Sequence, residues 1–264
     1  MTTTTRQRRA DSPTEARTGL SSVSVIVPTR NESANVAPLV SRVKAAMANS
    51  ALAWEVVFVD DSDDDTPQQV NALTEAGEPV RLLWRAPGER HGGLSGAVIA
   101  GFRFARGDAF VVIDGDLQHP PELLPAMIEP LVRGDAELVA GTRYSGDGAD
   151  RSGLAGGYRR LVSGSTRATA RLLFGRARSV SDPLGGFFSL QRHVVEDVEL
   201  RPDGFKILLE ILVRGSWSSA ADVPYRFADR AGGRSKATWK EGARFFRHVL
   251  RLRVSAPMGR GDGR

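Results

Sequence analysis

Two carboxylates, Asp114 and Asp116, stand at i and i+2 in the stretch Asp114-Gly115-Asp116-Leu117-Gln118-His119-Pro120. They follow the apolar run Ala109-Phe110-Val111-Val112-Ile113, which reads as a buried strand bounded upstream by Gly107. Two unpaired charges inside a strand would be very costly to bury. The pair must therefore leave the strand's C-terminal end, where open α/β sheets build their sites. Hard oxygen ligands of this kind suit Mg2+ or Mn2+ shared with a substrate phosphate, and Gln118 offers a third oxygen on the same loop. The competing reading is an acidic turn that caps the next helix, which Pro120 and Pro121 would open. His119, beside Pro120, reads as fixing the loop rather than as a metal ligand.

The elements around this loop follow from patterning. Val23–Val27 and Glu55–Val59 are short buried strands, and each ends in polar residues: Pro28-Thr29-Arg30-Asn31-Glu32 and Asp60-Asp61-Ser62-Asp63-Asp64-Asp65-Thr66. Between them, Val36, Leu39, Val40, Val43 and Met47 recur with a helical period over 35–48. Pro67 opens a second helix, and Val80–Trp84 is a third strand. Gly92–Gly96 lead a helix to about Ala105, a further helix runs to about Arg133, and Leu138–Thr142 is a fifth strand. Alternating strands and helices predict an α/β fold with a largely parallel sheet and right-handed crossovers. Parallel strands share a direction, so Asp60, Asp61, Asp114 and Asp116 are expected to converge on one edge. The glycines at 92–96 match neither the dinucleotide nor the Walker spacing. They predict a tight turn and close helix packing instead.

The chain has 264 residues, 41% of them hydrophobic, enough for one large domain with a core. Lys plus Arg is 36 and Asp plus Glu is 31, a formal charge of +5 that suits an anionic ligand or membrane surface. Cysteine is absent, which excludes disulfides, thiolate zinc sites and a cysteine nucleophile. Residues 1–21 lack the apolar core of a signal peptide and read as a disordered cytoplasmic tail. A single domain is expected over 22–237, a basic amphipathic helix over 238–254, and a second disordered tail over 255–264.

Beyond Thr142 the pattern changes. Residues 143–157 form a long glycine-rich loop, and 158–174 read as a helix. Ser179–Gly186 is a turn around Asp182-Pro183, Phe187–Gln191 a strand, Phe205–Val213 a helix containing Glu210, and Ala221–Phe227 a last strand. Arg167, Arg171, Arg176 and Arg178 are expected at a solvated surface or against lipid headgroups. Glu210 is expected to be a buried partner of a basic residue. Arg230–Lys236 is a basic, glycine-rich loop suited to gripping anions. In the last helix Trp239, Ala243, Phe246, Val249 and Leu250 share a face, Phe245 and Leu252 widen it, and Lys240, Arg244, Arg247 and Arg251 form a basic stripe. Such a helix either packs on the domain or lies on anionic lipid. No apolar run approaches the ~18 residues of a membrane span.

Six stretches in this order carry a family resemblance. They are Val-Pro-Thr-Arg-Asn-Glu at 27–32, Val-Asp-Asp-Ser at 59–62, Asp-Gly-Asp-Leu-Gln-His-Pro at 114–120, Gly-Thr-Arg-Tyr at 141–144, Ser-Asp-Pro-Leu-Gly-Gly-Phe at 181–187, and Val-Pro-Tyr-Arg-Phe-Ala-Asp-Arg-Ala-Gly-Gly-Arg-Ser-Lys at 223–236. Over about 22–254 the chain resembles the family-2 glycosyltransferases of the GT-A fold, and within them the dolichol- or polyprenol-phosphate mannosyltransferases.

The resemblance implies a nucleotide-sugar-binding domain that uses Mg2+ or Mn2+ on Asp114, Asp116 and Gln118. It implies donor binding by Pro28, Arg30, Glu32, Val59, Asp61, Asp114 and Gly115, with Arg230 and Lys236 on the diphosphate. Arg143 would contact an anion at the catalytic centre with Asp116 and Asp182, and Arg143 and Arg159 would grip an acceptor phosphate. Asp182 would bind sugar hydroxyls or cap its turn. Arg30 stands where the family often has tyrosine. Pro183 and Phe188 depart from the family near the expected sugar position. The implied reaction is inverting transfer of a hexose, mannose from GDP-mannose, to a polyprenyl monophosphate. It would take place peripherally at the cytoplasmic membrane face, on an anionic surface or with a membrane partner protein. A phosphate nucleophile is already ionised, which agrees with four histidines that form no cluster. The alternatives are another nucleotide sugar of the UDP-glucose type, a non-lipid hydroxyl acceptor with Asp182 as base, and a non-catalytic nucleotide-sugar-binding module. No RNA-binding aromatic pattern is present, and no nucleic-acid partner is expected.

Overall fold

The computed structural model describes residues 18–143, 166–201, 206–226, 249 and 251–253. Among the described residues seven strands form one sheet: β1 (Ser22–Thr29), β2 (Ala53–Asp60), β3 (Val80–Trp84), β4 (Ala109–Val112), β5 (Leu138–Thr142), β6 (Phe188–Gln191) and β7 (Ala220–Pro224). Their spatial order is β3-β2-β1-β4-β6-β5-β7. β1 is central, with parallel neighbours on both sides: Val25 sits opposite Val56 and Val111, and Ile26 opposite Val57 and Val112. Successive side chains alternate between the faces. Val23, Val25 and Val27 therefore enter one buried cluster with α1 (Ser33–Met47) and α4 (Leu124–Arg133). Ile26 enters the other, with α3 (Gly93–Phe104) and α7 (Ile207–Arg214); α2 (Thr66–Glu75) and the short α6 (His193–Glu196) lie between these elements in the chain. In α1 the five residues with a helical period in the sequence are the five that are buried.

β6 departs from the parallel pattern. It runs antiparallel to both β4 and β5, while β5 and β7 are parallel. The other six strands thus share one direction and end at one edge, and β6 begins there. The segment feeding β6, with Asp182 in it, is carried to the edge where Asp60, Asp114 and Thr142 emerge. The helix expected from Pro120 and Pro121 starts instead as a 3-10 turn, Pro121–Leu123, before α4. Gly92 and Gly93 are left-handed, with φ of 76° and 57°, and form the tight turn into α3.

A third cluster joins α5 (residues 166–173 of its described part), Phe174, Ala177, Leu184, Leu209 and the C-terminal helical residues Val249 and Leu252. Leu252 is buried there, so it does not widen a lipid-facing arc as the sequence suggested. Arg251, of the expected stripe, donates at 2.7 Å to the carbonyl of Arg201. The remaining stripe residues, Lys240, Arg244 and Arg247, lie outside the described residues. Glu210 is 1% exposed, as the sequence suggested for a buried partner. Its Oε1 accepts the Arg201 N–H at 2.6 Å and lies 3.4 Å from Arg214. Burial pushes this carboxyl up, against the pull of Arg214, Arg251 and Arg201.

One close approach locks β4 to β1. A Cβ added at Gly107 would lie 2.6 Å from the Ser24 nitrogen and 2.7 Å from the Val23 carbonyl carbon. Both are backbone atoms that cannot move aside without disturbing the central strand pair. Gly107→Ala is expected to cost about 1–3 kcal/mol. That lowers the melting temperature by roughly 2–4 °C per kcal/mol at this chain length, and thermal denaturation of the variant checks it.

Candidate active site

The site is built from four segments at the C-terminal edge of the sheet. The first two leave β1 and β2. Asp60, the last residue of β2, turns inward: its Oδ1 accepts from Thr29 Oγ1 at 2.7 Å and Ser62 Oγ at 2.6 Å. It is wholly buried. It therefore ties two strand ends together, and since Asp61 is engaged by Arg85, neither acid of β2's end joins Asp114 and Asp116, contrary to the convergence expected from sequence. Ser62 Oγ also accepts the Asn31 N–H at 2.7 Å, and Thr66 Oγ1 accepts the Glu32 N–H at 3.0 Å. Asn31 takes a left-handed backbone, φ 60°, at the sharp exit from β1. These bonds hold the Arg30–Glu32 loop against the Asp60–Thr66 loop.

Asp61 points the other way and meets Arg85. The guanidinium donates from Nε to Oδ1 at 2.7 Å and from Nη2 to Oδ2, a bidentate pair with both side chains nearly buried. Arg85 also donates to the carbonyls of His91 and Gly93, in the glycine turn. Arg90 clamps the same region through the Asp63 carboxylate, the Ser62 carbonyl and the Arg85 carbonyl. Neither arginine stands out in the sequence, because nothing local marks a guanidinium whose partners are distant backbone carbonyls. Pro28 and Val59 are buried, and Val59 packs in the core beside α3. Any ligand contact by Val59 must therefore come from its backbone. Arg30 is exposed and lies 3.7 Å from Asp63.

The third segment is the Asp114–Pro120 loop. Gly115 lies so close to the end of β1 that an added Cβ would be 2.8 Å from Thr29 Cγ2. Leu117 is left-handed, φ 62°, a conformation costly for leucine. Its side chain packs on the core beside α1 and α4. The turn lets Asp116 Oδ1 accept the Gln118 N–H at 3.1 Å. Neither the 3-10 turn nor α4 has a side-chain cap, so the capping reading of the acidic pair does not hold. His119 fixes the loop as expected: its Nδ1 accepts the Asp114 N–H at 3.2 Å. Asp114 and Asp116 are only partly buried. Among the described residues no three His, Cys, Asp or Glu side chains are grouped to hold a metal by themselves. Two carboxylates on an open edge fit an ion completed by substrate oxygens, which is the habit of Mg2+ and its relatives.

The fourth segment is the turn before β6. Arg143 Nη2 donates to Asp182 Oδ2 at 3.2 Å, and Asp182 is 2% exposed. Gly185 lies against the Asp182 carbonyl. A Cβ at Gly186 would be 3.4 Å from both Asp114 Oδ2 and His119 Cε1. The two glycines thus bring the Arg143–Asp182 pair alongside the Asp114 loop. The turn is pinned from several directions. Arg167 and Arg171, one helical turn apart on α5, donate to the carbonyls of Ser181 and Val180. The Asp222 carboxylate accepts the Ser181 N–H, and Lys206 donates to the Leu184 carbonyl.

Several expectations are corrected here. Arg167 and Arg171 are backbone staples and not lipid contacts. Arg176 and Arg178 are exposed, as expected of surface residues: Arg176 donates to the carbonyls of Gly215 and Trp217 and stacks 4.2 Å above the Trp217 ring, and Arg178 donates to the Arg171 carbonyl. Phe188, expected near the sugar, is wholly buried in the core beside α3 and α7. Arg159, Arg230 and Lys236 lie outside the described residues.

This arrangement of sheet and loops is that of a GT-A glycosyltransferase. The glycosyl transferase family 2 signature covers residues 24–199, and the chain belongs to that family. It is 41% identical over 230 residues to the dolichol-phosphate mannosyltransferase of Pyrococcus furiosus, a match that takes in 87% of this chain and 63% of that protein. It is 38% identical over 242 residues to the Saccharomyces cerevisiae protein of the same name, covering 88% of this chain and 86% of that protein. Among solved structures, the fold resembles glucosyl-3-phosphoglycerate synthase from Mycobacterium tuberculosis in complex with Mn2+, UDP-glucose and glycerol 3-phosphate. The TM-score is 0.61 at 19% identity, over 90% of this chain and 82% of that one. It also resembles mannosyl-3-phosphoglycerate synthase from Rubrobacter xylanophilus, with a TM-score of 0.62 at 19% identity, over 93% and 79%.

The buried Asp61–Arg85 pair gives a direct test of the site's construction. Arg85→Met strands the Asp61 carboxylate and is expected to cost about 3–5 kcal/mol. The double change Asp61→Leu with Arg85→Met removes both charges and should recover most of that loss. Urea denaturation of the single and double variants measures the difference.

Proposed function

We propose that this chain transfers a hexose, mannose from GDP-mannose, to a polyprenyl monophosphate. The observation that carries the reading is the Asp114-Gly115-Asp116 loop set beside the Arg143–Asp182 pair on one sheet edge. The naming of the relatives at 38–41% identity supports the substrates. The nucleoside is assigned to the loops after β1 and β2, with Pro28, Arg30, Glu32, the Val59 backbone and Asp61. The diphosphate is assigned to Asp114, Gly115 and Asp116, with Arg230 and Lys236. Asp114, Asp116 and Gln118 would hold Mg2+ or Mn2+, which supplies positive charge against the oxygens of the leaving diphosphate.

An oxygen of the lipid phosphate attacks the anomeric carbon, and the bond from that carbon to the nucleoside diphosphate breaks. The diphosphate leaves with the bonding pair, and the anomeric configuration inverts. The acceptor is already an anion, so no proton has to be removed. Arg143, oriented by Asp182, holds the acceptor phosphate with Arg159. A hydroxyl acceptor would need a base. Asp182, buried and engaged with Arg143, is poorly placed to serve as one.

A polyprenyl acceptor requires the site edge to reach a membrane. Among the described residues no helix is long and apolar enough to cross one. We place the chain peripherally on the cytoplasmic face, against anionic lipid or a membrane partner.

A panel of nucleotide sugars incubated with polyprenyl phosphate, followed by mass analysis of the lipid, tests the reading. A polyprenyl-phosphate hexose formed best from GDP-mannose is the expected product. No glycolipid from any donor would refute it. Asp116→Ala and Asp114→Asn should abolish transfer with the circular dichroism spectrum unchanged. Arg143→Ala should lose a charged phosphate contact of about 1.5–3 kcal/mol. That is roughly one to two decades in kcat/KM for the lipid.

A further inference from the structure

We propose that His119 is a positioning residue for the Asp114 carboxylate, and that Phe187 and Tyr225 hold it in that task. The inference rests on the metal-dependent reading above and names how one ligand of the ion is aimed. His119 is 2% exposed. Its Nδ1 accepts the Asp114 backbone N–H at 3.2 Å and lies 3.4 Å from Asp114 Oδ2. The first bond fixes the peptide plane preceding Asp114, and with it the N–Cα axis from which the side chain is carried. The second distance lays the carboxylate alongside the imidazole edge. Gly186 closes the other side, since an added Cβ there would touch both Asp114 Oδ2 and His119 Cε1 at 3.4 Å.

The ring is held by two others. Phe187 stacks on it at 5.4 Å between centroids and 21° between planes, and Tyr225 meets it edge-on at 5.6 Å and 74°. Phe187 and Tyr225 also contact each other edge-on at 5.5 Å. The three rings come from three segments: the loop after β4, the turn before β6 and the residue after β7. Each outer ring is fastened to the Arg143–Asp182 side of the site. Phe187 accepts the Gly141 N–H on its carbonyl at 2.8 Å, and the Tyr225 N–H bonds to the Thr142 carbonyl at 2.9 Å. Arg143 is the next residue. The ring cluster therefore sets the position of Asp114 relative to Arg143, so the ion and the acceptor phosphate are aligned by the same three side chains.

The experiment uses the full chain and measures Mn2+ affinity in the presence of GDP, by electron paramagnetic resonance of the free ion. Steady-state kinetics and melting temperature are recorded on the same samples. His119→Phe keeps a ring in the stack and removes the acceptor, whereas His119→Asn keeps an acceptor near Nδ1 and removes the ring. His119→Phe is expected to weaken Mn2+ by about 10- to 100-fold, and to lower kcat more than it raises KM for the lipid phosphate. His119→Asn should restore most of the affinity. Tyr225→Leu should lower kcat without weakening GDP binding in the absence of metal. Wild-type affinity in His119→Phe overturns the proposal. So does His119→Asn binding the ion no better than His119→Phe, which would make the ring a packing element alone. Unchanged kcat in Tyr225→Leu refutes the alignment by the ring cluster. A wild-type chain that takes up no Mn2+ with GDP instead overturns the metal reading itself.

Discussion

Strand direction is the constraint on which the site depends. In a sheet whose other six strands end at one edge, a single strand running backwards must begin there. β6 does so between β4 and β5, the strands that deliver Asp114 and Arg143. The chain preceding it cannot reach Phe188 without crossing the mouth of the site. That passage brings Asp182 within 3.2 Å of Arg143 and Gly186 against Asp114. Had β6 been parallel, its leading segment would lie at the opposite edge, and Arg143 would face the acidic loop without its carboxylate.

The passage has a cost that the rest of the structure offsets. Val180–Gly186 forms no helix or strand, so its buried backbone groups need partners from elsewhere. Arg167 and Arg171 supply two of them, and Asp222 and Lys206 supply others. The i, i+4 spacing puts both guanidinium groups on one face of α5. Leu184 then closes the turn from below, in the cluster that also receives Val249 and Leu252. Val249 and Leu252 are thus part of the support of this turn. At Val249 and Leu252 it is the packing alternative of the sequence reading that holds.

The strands, the helices and their order were legible, because short β-branched runs and a helical period over 36–47 are local signals that burial later confirms. The acidic loop after β4 was legible for the same reason. What was not legible depends on tertiary partners. Phe188–Gln191 has the same pattern whichever way it runs. Asp60 and Asp61 are neighbours of one type, yet strand alternation sends one into a buried hydroxyl network and the other to Arg85. Arg167 and Arg171 read as surface charge because a backbone carbonyl leaves no trace in a sequence, whereas Arg176 and Arg178 are exposed as read. Nothing in the sequence gives Phe188 a face, so its departure from the family reads as a place near the sugar. One residue of register separates Phe187, beside His119, from Phe188 in the opposite core layer.

The backing of the charged groups explains why a phosphate acceptor suits this site better than a hydroxyl. Asp182 holds Arg143, Arg85 holds Asp61, and both pairs are largely withdrawn from solvent. A carboxylate committed to a guanidinium in a water-poor turn gives orientation, because the pair fixes where positive charge points and removes the freedom of a long side chain. It does not give a base, since taking a proton would dissolve the ion pair that holds the turn. An enzyme activating a hydroxyl needs the opposite arrangement, a carboxylate open to substrate and able to change charge. Asp114 and Asp116 are partly open at the edge, and their hard oxygens suit a cation. Negative charge is therefore offered to an ion and positive charge to phosphate. The nucleophile consistent with that division arrives already ionised.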